Sequence, residues 1–234
     1  MDIGPTISAE FDAKASSYES NRLAPWYRAQ ARVVLDELDT IEGPILDVGC
    51  GTGFLLRELL DRYSDGEGVG VDLSQGMIRA ARELSSEAGL DRLSFVKADW
   101  EDEDTQALIR NSLPAPPGLV VCVSAFHYFS DPKGALARIR DTLAPGGRLL
   151  LLDRAMDGSA ATLMWDLLHR HLIRDQVRFY RTSEIVALLR EAGFVQVGVV
   201  RRIRRLFWHG KLYTSLILIS ARCEAVAAES GACG

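Results

Sequence analysis

The chain has 234 residues, 47% of them hydrophobic and 25% charged, an ordinary globular mixture long enough to bury one sizeable core. Its formal net charge of -5 argues against a nucleic-acid partner held by bulk electrostatics. No apolar run reaches the length of a bilayer span, and Asp2, Glu10 and Asp12 at the N-terminus, with no apolar stretch between them, argue against a signal peptide. Cys50, Cys122, Cys223 and Cys233 show neither C-x-x-C spacing nor a paired histidine motif. They read as thiols of a reducing cytoplasm, with no metal site.

Residues 1 to 20 are mixed and polar, with Phe11 and Tyr18 as isolated aromatics. From Leu23 to Ile41 the pattern turns helical: Pro25 suits a first turn, and Ala31, Val34, Leu35 and Leu38 share a face. Gly43-Pro44 stops it. Ile45 to Val48 is a short buried strand, followed by a helix from Phe54 to Tyr63. Gly68 to Val71 is a second strand, and Ser74 caps a helix that runs to Gly89. Leu93 to Val96 is strand three, and Thr105 to Leu113 a short helix.

After the linker "PAPPG", the apolar run "LVVCV" is strand four, and Asp131-Pro132 opens a helix from Lys133 to Leu143. "RLLLLD" is strand five. Residues 158 to 174 hold a bulky helix, and Thr182 or Ser183 caps another that stops at Gly193. The last strands, near Val195 to Phe207 and Leu212 to Arg222, leave no room for a crossover helix and form an antiparallel hairpin through His209-Gly210. Alternating strands and helices predict an α/β fold, a doubly wound and mainly parallel seven-stranded sheet ending in that hairpin. The expected organisation is an N-terminal helical extension over 1–42, one domain over 43–222 and a loose tail over 223–234.

The stretch "ILDVGCGTGF" carries the chemistry. Gly49, Gly51 and Gly53 follow the first strand, where a nucleotide-like ligand sits in such folds. A dinucleotide fingerprint places a third glycine at position 54, which here is Phe54. Asp47 lies two residues before the first glycine. Beside a pyrophosphate it would repel: like charges ~5 Å apart cost about 3 kcal/mol at an effective dielectric of 20. Beside a sulfonium or an ammonium it attracts. Asp72, ending strand two, suits ribose hydroxyls in either cofactor class. Asp99, after strand three, is placed to accept from an adenine amino group, or else belongs to the solvated acidic run "DWEDED". Trp100 beside it reads either as a ring platform or as core.

Six stretches in order resemble the class I S-adenosylmethionine-dependent methyltransferases, in particular the ubiquinone/menaquinone-methyltransferase-like group that acts on small molecules and lipids. They are "FDAKASSYE" (11–19), "ILDVGCGTGFLL" (45–56), "GVDLSQGMIRAAR" (70–82), "FVKADWED" (95–102), "SAFHYFSDP" (124–132) and "LAPGGRLLLLD" (143–153). The resemblance implies S-adenosyl-L-methionine as cofactor. Asp47 and Gly49 would face its methionine part, Gly51 and Gly53 would let the backbone approach, and Asp72 would hold the ribose. Leu73 and Met77 would line the adenine, with Asp99 and Trp100 beside it, Ser124 at the end of strand four and Tyr18 as a lid residue. Two departures stand out: strand four begins Gly118-Leu119 where the group has an aspartate, and "LHHF" reads "FHYF".

The acceptor side is read from the histidines. His127, just past strand four, is a base, a substrate contact or a structural histidine. His169 and His171, two apart on the predicted helix, share no face and form no metal pair. Each is a fallback base within a substrate cover over 154–181. "RRIRRLFWHGK" (201–211) reads as the solvated face of an edge hairpin, with contact to a membrane surface the weaker alternative. The function read here is methyl transfer from S-adenosylmethionine to a small organic or lipid-like acceptor. The alternatives are an NAD(P)-dependent oxidoreductase, disfavoured by Phe54 and Asp47, and a non-catalytic S-adenosylmethionine-binding protein.

Overall fold

The computed structural model describes residues 4–21, 24–63, 66–157, 178, 180–203, 206–208, 211–213 and 216–225. Five parallel strands come first: β1 (Ile45–Val48), β2 (Gly68–Asp72), β3 (Leu93–Lys97), β4 (Leu119–Val123) and β5 (Arg148–Arg154). Then follow β6 (Val195–Ile203), β7 (Leu206–Trp208), β8 (Lys211–Tyr213) and β9 (Leu216–Arg222). The main sheet has seven strands in the order β3-β2-β1-β4-β5-β9-β6, with β9 antiparallel to both β5 and β6. Chain order reverses between β1 and β4. That reversal opens a crevice at the strands' carboxyl ends.

The predicted seven-stranded hairpin-ended sheet is therefore observed, with one refinement. The sequence pattern predicts one continuous hairpin for the last two strands, but β7 and β8 pair with each other as a separate two-stranded sheet.

Helices α1 (Gly4–Lys14), α2 (Ala24–Leu35), α3 (Phe54–Arg62), α4 (Gln75–Glu87), α5 (Thr105–Ser112), α6 (Pro132–Thr142) and α7 (Thr182–Glu191) complete the described chain. One face of the sheet packs Val34, Leu56, Leu59 and Ile78 against Leu150 and Leu218; the other packs Ile109, Leu136, Ile139 and Ile185 against Leu149 and Leu151. The strands β1, β2, β4 and β5 are buried along nearly their whole length, which is why they read as apolar runs, whereas the edge strand β3 leaves Ser94 and Lys97 exposed.

Ser74 and Asp131 cap α4 and α6 as their sequences predict, accepting from Met77 N (3.1 Å) and Gly134 N (3.0 Å). At α7 the cap lies one residue earlier than expected. Arg181 is the boundary residue, its N–H taken by Glu184, while the Asp157 carboxylate accepts from Thr182 N at 2.9 Å. The helix expected over 158–174 lies outside the described residues. Gly118 explains the missing strand-four aspartate: a Cβ there would sit 1.6 Å from the Glu42 carbonyl oxygen.

Candidate active site

A cavity of about 490 Å³ occupies the crevice, a volume suited to a small ligand. Its floor is the loop Gly49–Thr52. Its walls are the ends of β2 and β3 and the turn after β4, and the N-terminal segment covers it through Phe11, Tyr18, Tyr27 and Gln30.

Asp47 sits on β1 between Gly70 and Val121, so its carboxyl projects from the centre of the sheet. It is 2% exposed and its Oδ1 has no hydrogen-bond partner. Burial first, and Asp72 second, push its pKa up to about 8.

Asp72 holds the loop to β2: Oδ2 accepts from Gly51 N and Oδ1 from Ser74 N, each at 2.9 Å. Burial raises its pKa in spite of these two donors. Gly49 has φ +77, and a Cβ there would meet the Ala125 Cβ at 2.3 Å, so the β1 loop and the β4 turn touch only through a missing side chain. Gly53 differs in role from its neighbours. It is absent from the cavity lining, and a Cβ on it would meet the Phe95 ring at 2.6 Å.

Leu73, Met77 and Asp99 line the cavity. Asp99 Oδ1 also accepts from Glu101 N at 2.9 Å. Trp100 borders the cavity, yet it is a core side chain, 4% exposed, with Nε1 donating to the Ala135 carbonyl at 3.1 Å. Ser124 has φ +52, a rare backbone for a residue with a Cβ, and its hydroxyl donates to Gln30 Oε1. Gln30 is 2% exposed and its Nε2 has no partner.

His127 is nearly buried. Its Nδ1 lies 2.8 and 3.0 Å from the two oxygens of Asp153, and its backbone N–H donates to the same carboxylate at 3.1 Å. Asp153 thereby fixes the orientation of the ring. His169 and His171 lie outside the described residues. Among the described residues no group of three or more potential ligands forms a metal site.

Sequence reasoning missed the groups that pin the cover. Asp12 accepts from Ser74 Oγ (2.6 Å) and Gly76 N (2.7 Å), and those bonds hold its pKa below the usual carboxylate range. Glu19 accepts from Thr52 Oγ1 at 2.6 Å and pairs with Arg57. Tyr18 stacks on Tyr27, ring centroids 4.2 Å apart, and burial pushes its hydroxyl pKa up. Asp153 was also missed. Its signal was available: "RLLLLD" ends in a carboxylate, as "ILD" and "GVGVD" do.

The methyltransferase domain family matches residues 45–147, the span from β1 to the start of β5. A malonyl-[acyl-carrier protein] O-methyltransferase of Brevibacillus brevis is 26% identical over 214 residues, 87% of this chain and 74% of that protein. An aklanonic acid methyltransferase of Streptomyces sp. is 32% identical over 146 residues, 61% of this chain and 62% of its own length. The chain is similar to methyltransferases over most of its length.

Human N-acetylserotonin methyltransferase, solved with S-adenosylmethionine, shares the methyltransferase fold at a TM-score of 0.65. It is 19% identical, and the alignment covers 92% of this chain and 57% of that one. The chain's own residues fit a cationic cofactor such as S-adenosylmethionine: an unpartnered buried carboxylate suits a cation, as a pyrophosphate would not. No helix among the described residues is long and apolar enough to cross a membrane.

Proposed function

We propose that this methyltransferase moves a methyl group to a small organic acceptor held in the cavity between the glycine loop and the N-terminal cover. The observation that carries the proposal is the buried Asp47 with its unpartnered Oδ1 facing that cavity. Asp47 offsets the cofactor's positive charge, Gly49 and Gly51 let the backbone approach, and Asp72 keeps the loop in place while its remaining lone pairs accept from the ribose. Leu73, Met77 and Asp99 take the adenine end, with Trp100 as the packed wall behind it. Gly53 contributes by letting α3 start against Phe95. Ser124 and Tyr18 close the other side.

When bound, S-adenosylmethionine supplies a methyl group already activated by its sulfonium. The chain therefore has to align the acceptor and exclude water. His127 faces the acceptor from the β4 rim and would accept a proton only from an acceptor that still carries one. Residues 1–42 serve as lid, 43–222 as the catalytic domain, 154–181 as substrate cover and 223–234 as tail. Cys50, Cys122 and Cys223 are free, buried thiols, which suits the cytoplasm.

Calorimetry tests the reading. S-adenosylmethionine should bind the native chain and NAD should not, and Asp47→Asn should weaken the former; NAD binding with no response to S-adenosylmethionine overturns it.

A further inference from the structure

Among the described residues, five buried side-chain polar atoms have no hydrogen-bond partner. Three belong to residues outside the cavity lining. The two within it are of opposite kind: Asp47 Oδ1 accepts and Gln30 Nε2 donates. Buried polar groups are nearly always satisfied, so two orphans of opposite polarity in one cavity specify what fills it. Gln30 stands on α2, a helix of the N-terminal cover, and is 2% exposed. The Ser124 hydroxyl, just past the end of β4, donates to its Oε1 and so turns the amide to leave Nε2 for the cavity. Ser124 takes φ +52 there, backbone strain of the kind kept at ligand sites. β4 pairs with β1, Val121 opposite Asp47, so both orphans sit over adjacent central strands.

Resting on the proposed function, we propose that Gln30 is a specificity-determining residue for the cofactor. Its Nε2 donates to the carboxylate of the cofactor's amino-acid end, while Asp47 faces the ammonium. A zwitterionic head satisfies both orphans at once; a lone cation would leave Gln30 unsatisfied, and a lone anion would leave Asp47 so. The carboxylate needs such a donor, because Asp47, Asp72, Asp99, Glu101 and Asp102 line the same cavity and repel it. A hydrogen bond to an ionised acceptor is also stronger than one to a neutral acceptor. A neutral amide supplies it without adding a positive charge that would repel the sulfonium. Because α2 belongs to the cover, the cofactor's carboxylate becomes a further fastening of that segment. The site thereby reads the amino-acid end of its cofactor, not the adenosine alone, and the cover closes more firmly on ligands that carry the carboxylate.

Calorimetry on the full chain tests this with three probes: S-adenosylhomocysteine, its decarboxylated analogue, which keeps the ammonium, and methylthioadenosine, which has neither group. The native chain should bind S-adenosylhomocysteine about tenfold or more tighter than the decarboxylated analogue, as for a hydrogen bond to a charged group. Gln30→Leu should shrink that preference to within about threefold and leave methylthioadenosine affinity within about twofold, a pattern that a merely structural Gln30 would not give. Gln30→Glu should bind S-adenosylhomocysteine more weakly than Gln30→Leu does, because one carboxylate then faces another. Amide exchange over residues 24–35 of the native chain should slow more with S-adenosylhomocysteine than with the decarboxylated analogue, and equally with both in Gln30→Leu. Equal native affinity for those two probes, an undiminished preference in Gln30→Leu, equal loss of all three probes in Gln30→Leu, or tighter binding by Gln30→Glu overturns the assignment of Gln30 and leaves the methyltransferase reading standing. A native chain that binds neither S-adenosylmethionine nor S-adenosylhomocysteine sinks both.

Discussion

Replacing Asp47 with Asn separates what this carboxyl costs the empty protein from what it contributes to binding. In the ligand-free fold its pKa is about 8, against an ordinary 3.8. A folded-state pKa raised above the unfolded one destabilises as pH rises, because the unfolded chain ionises freely while the folded chain must stay protonated. At pH 7 the penalty has an upper bound of about 1.36 × (7 − 3.8), on the order of 4 kcal/mol. Local relaxation lowers that, and the asparagine amide pays its own desolvation of about 1–2 kcal/mol, leaving a net gain of roughly 1–3 kcal/mol. For a chain of this length that is roughly 3–10 °C in Tm.

Thermal melts of the two proteins from pH 4 to 8.5, without cofactor, read this directly. The variant should melt slightly below the native protein near pH 4 and cross above it as pH rises to 8. Cofactor binding should run the other way. Its cationic groups need Asp47 ionised, so binding below pH 8 expels a proton, and native affinity should climb with pH by up to tenfold per unit before levelling off. Asp47→Asn should bind roughly 30-fold more weakly at pH 8.5, as for losing a charged hydrogen-bond partner, with a flat profile. An Asn variant that melts below the native protein at pH 8, or that keeps the native pH dependence of binding, would refute the argument.

Three further outcomes are expected. Asp12→Ala removes the acceptor of Ser74 Oγ and Gly76 N, so amide exchange over 11–18 should quicken in the variant and slow in the native chain when cofactor binds; exchange unchanged by either would make the segment permanent core. His127→Asn can still donate to Asp153 and should keep its Tm within a few degrees while turnover falls less than ~10-fold; a loss of 10²-fold or more would make His127 a base. Gly118→Ala forces a Cβ to within 1.6 Å of the Glu42 carbonyl and should cost more than about 3 kcal/mol in chemical denaturation; near-native stability would mean that the 42–44 turn yields easily.

The centre of the sheet was legible because β1, β2, β4 and β5 are short apolar runs buried on both faces, and because Gly and Pro mark their ends. The glycine loop and Asp47 were legible for a related reason: a carboxylate inside a buried strand needs a purpose. Helix α1 was not readable. Its apolar positions Ile7 and Phe11 are few, and its fixed geometry comes from Asp12 and Ser74, residues 62 apart in sequence. The Gln30–Ser124 and His127–Asp153 pairs, 94 and 26 apart, belong to the same class: long-range polar partners leave no periodic trace. The split of the final hairpin into β6–β9 and β7–β8 escaped because both ribbons share one alternating pattern.

Three of the hydrogen bonds that fasten the cover run from Asp12 to the start of α4, from Glu19 to Thr52 and from Gln30 to Ser124. Each hydrogen-bonded fastening is worth about 0.5–1.5 kcal/mol against water, so releasing all three together costs roughly 2–4 kcal/mol. An equilibrium of that size leaves the uncovered form near 1% of molecules or below. Spent cofactor leaves through that scarce population, and fresh cofactor enters through it. Were that release the slow step, the dwell time of each turnover would be set by how often the N-terminal segment lets go, a first-order event that no excess of either substrate can hurry.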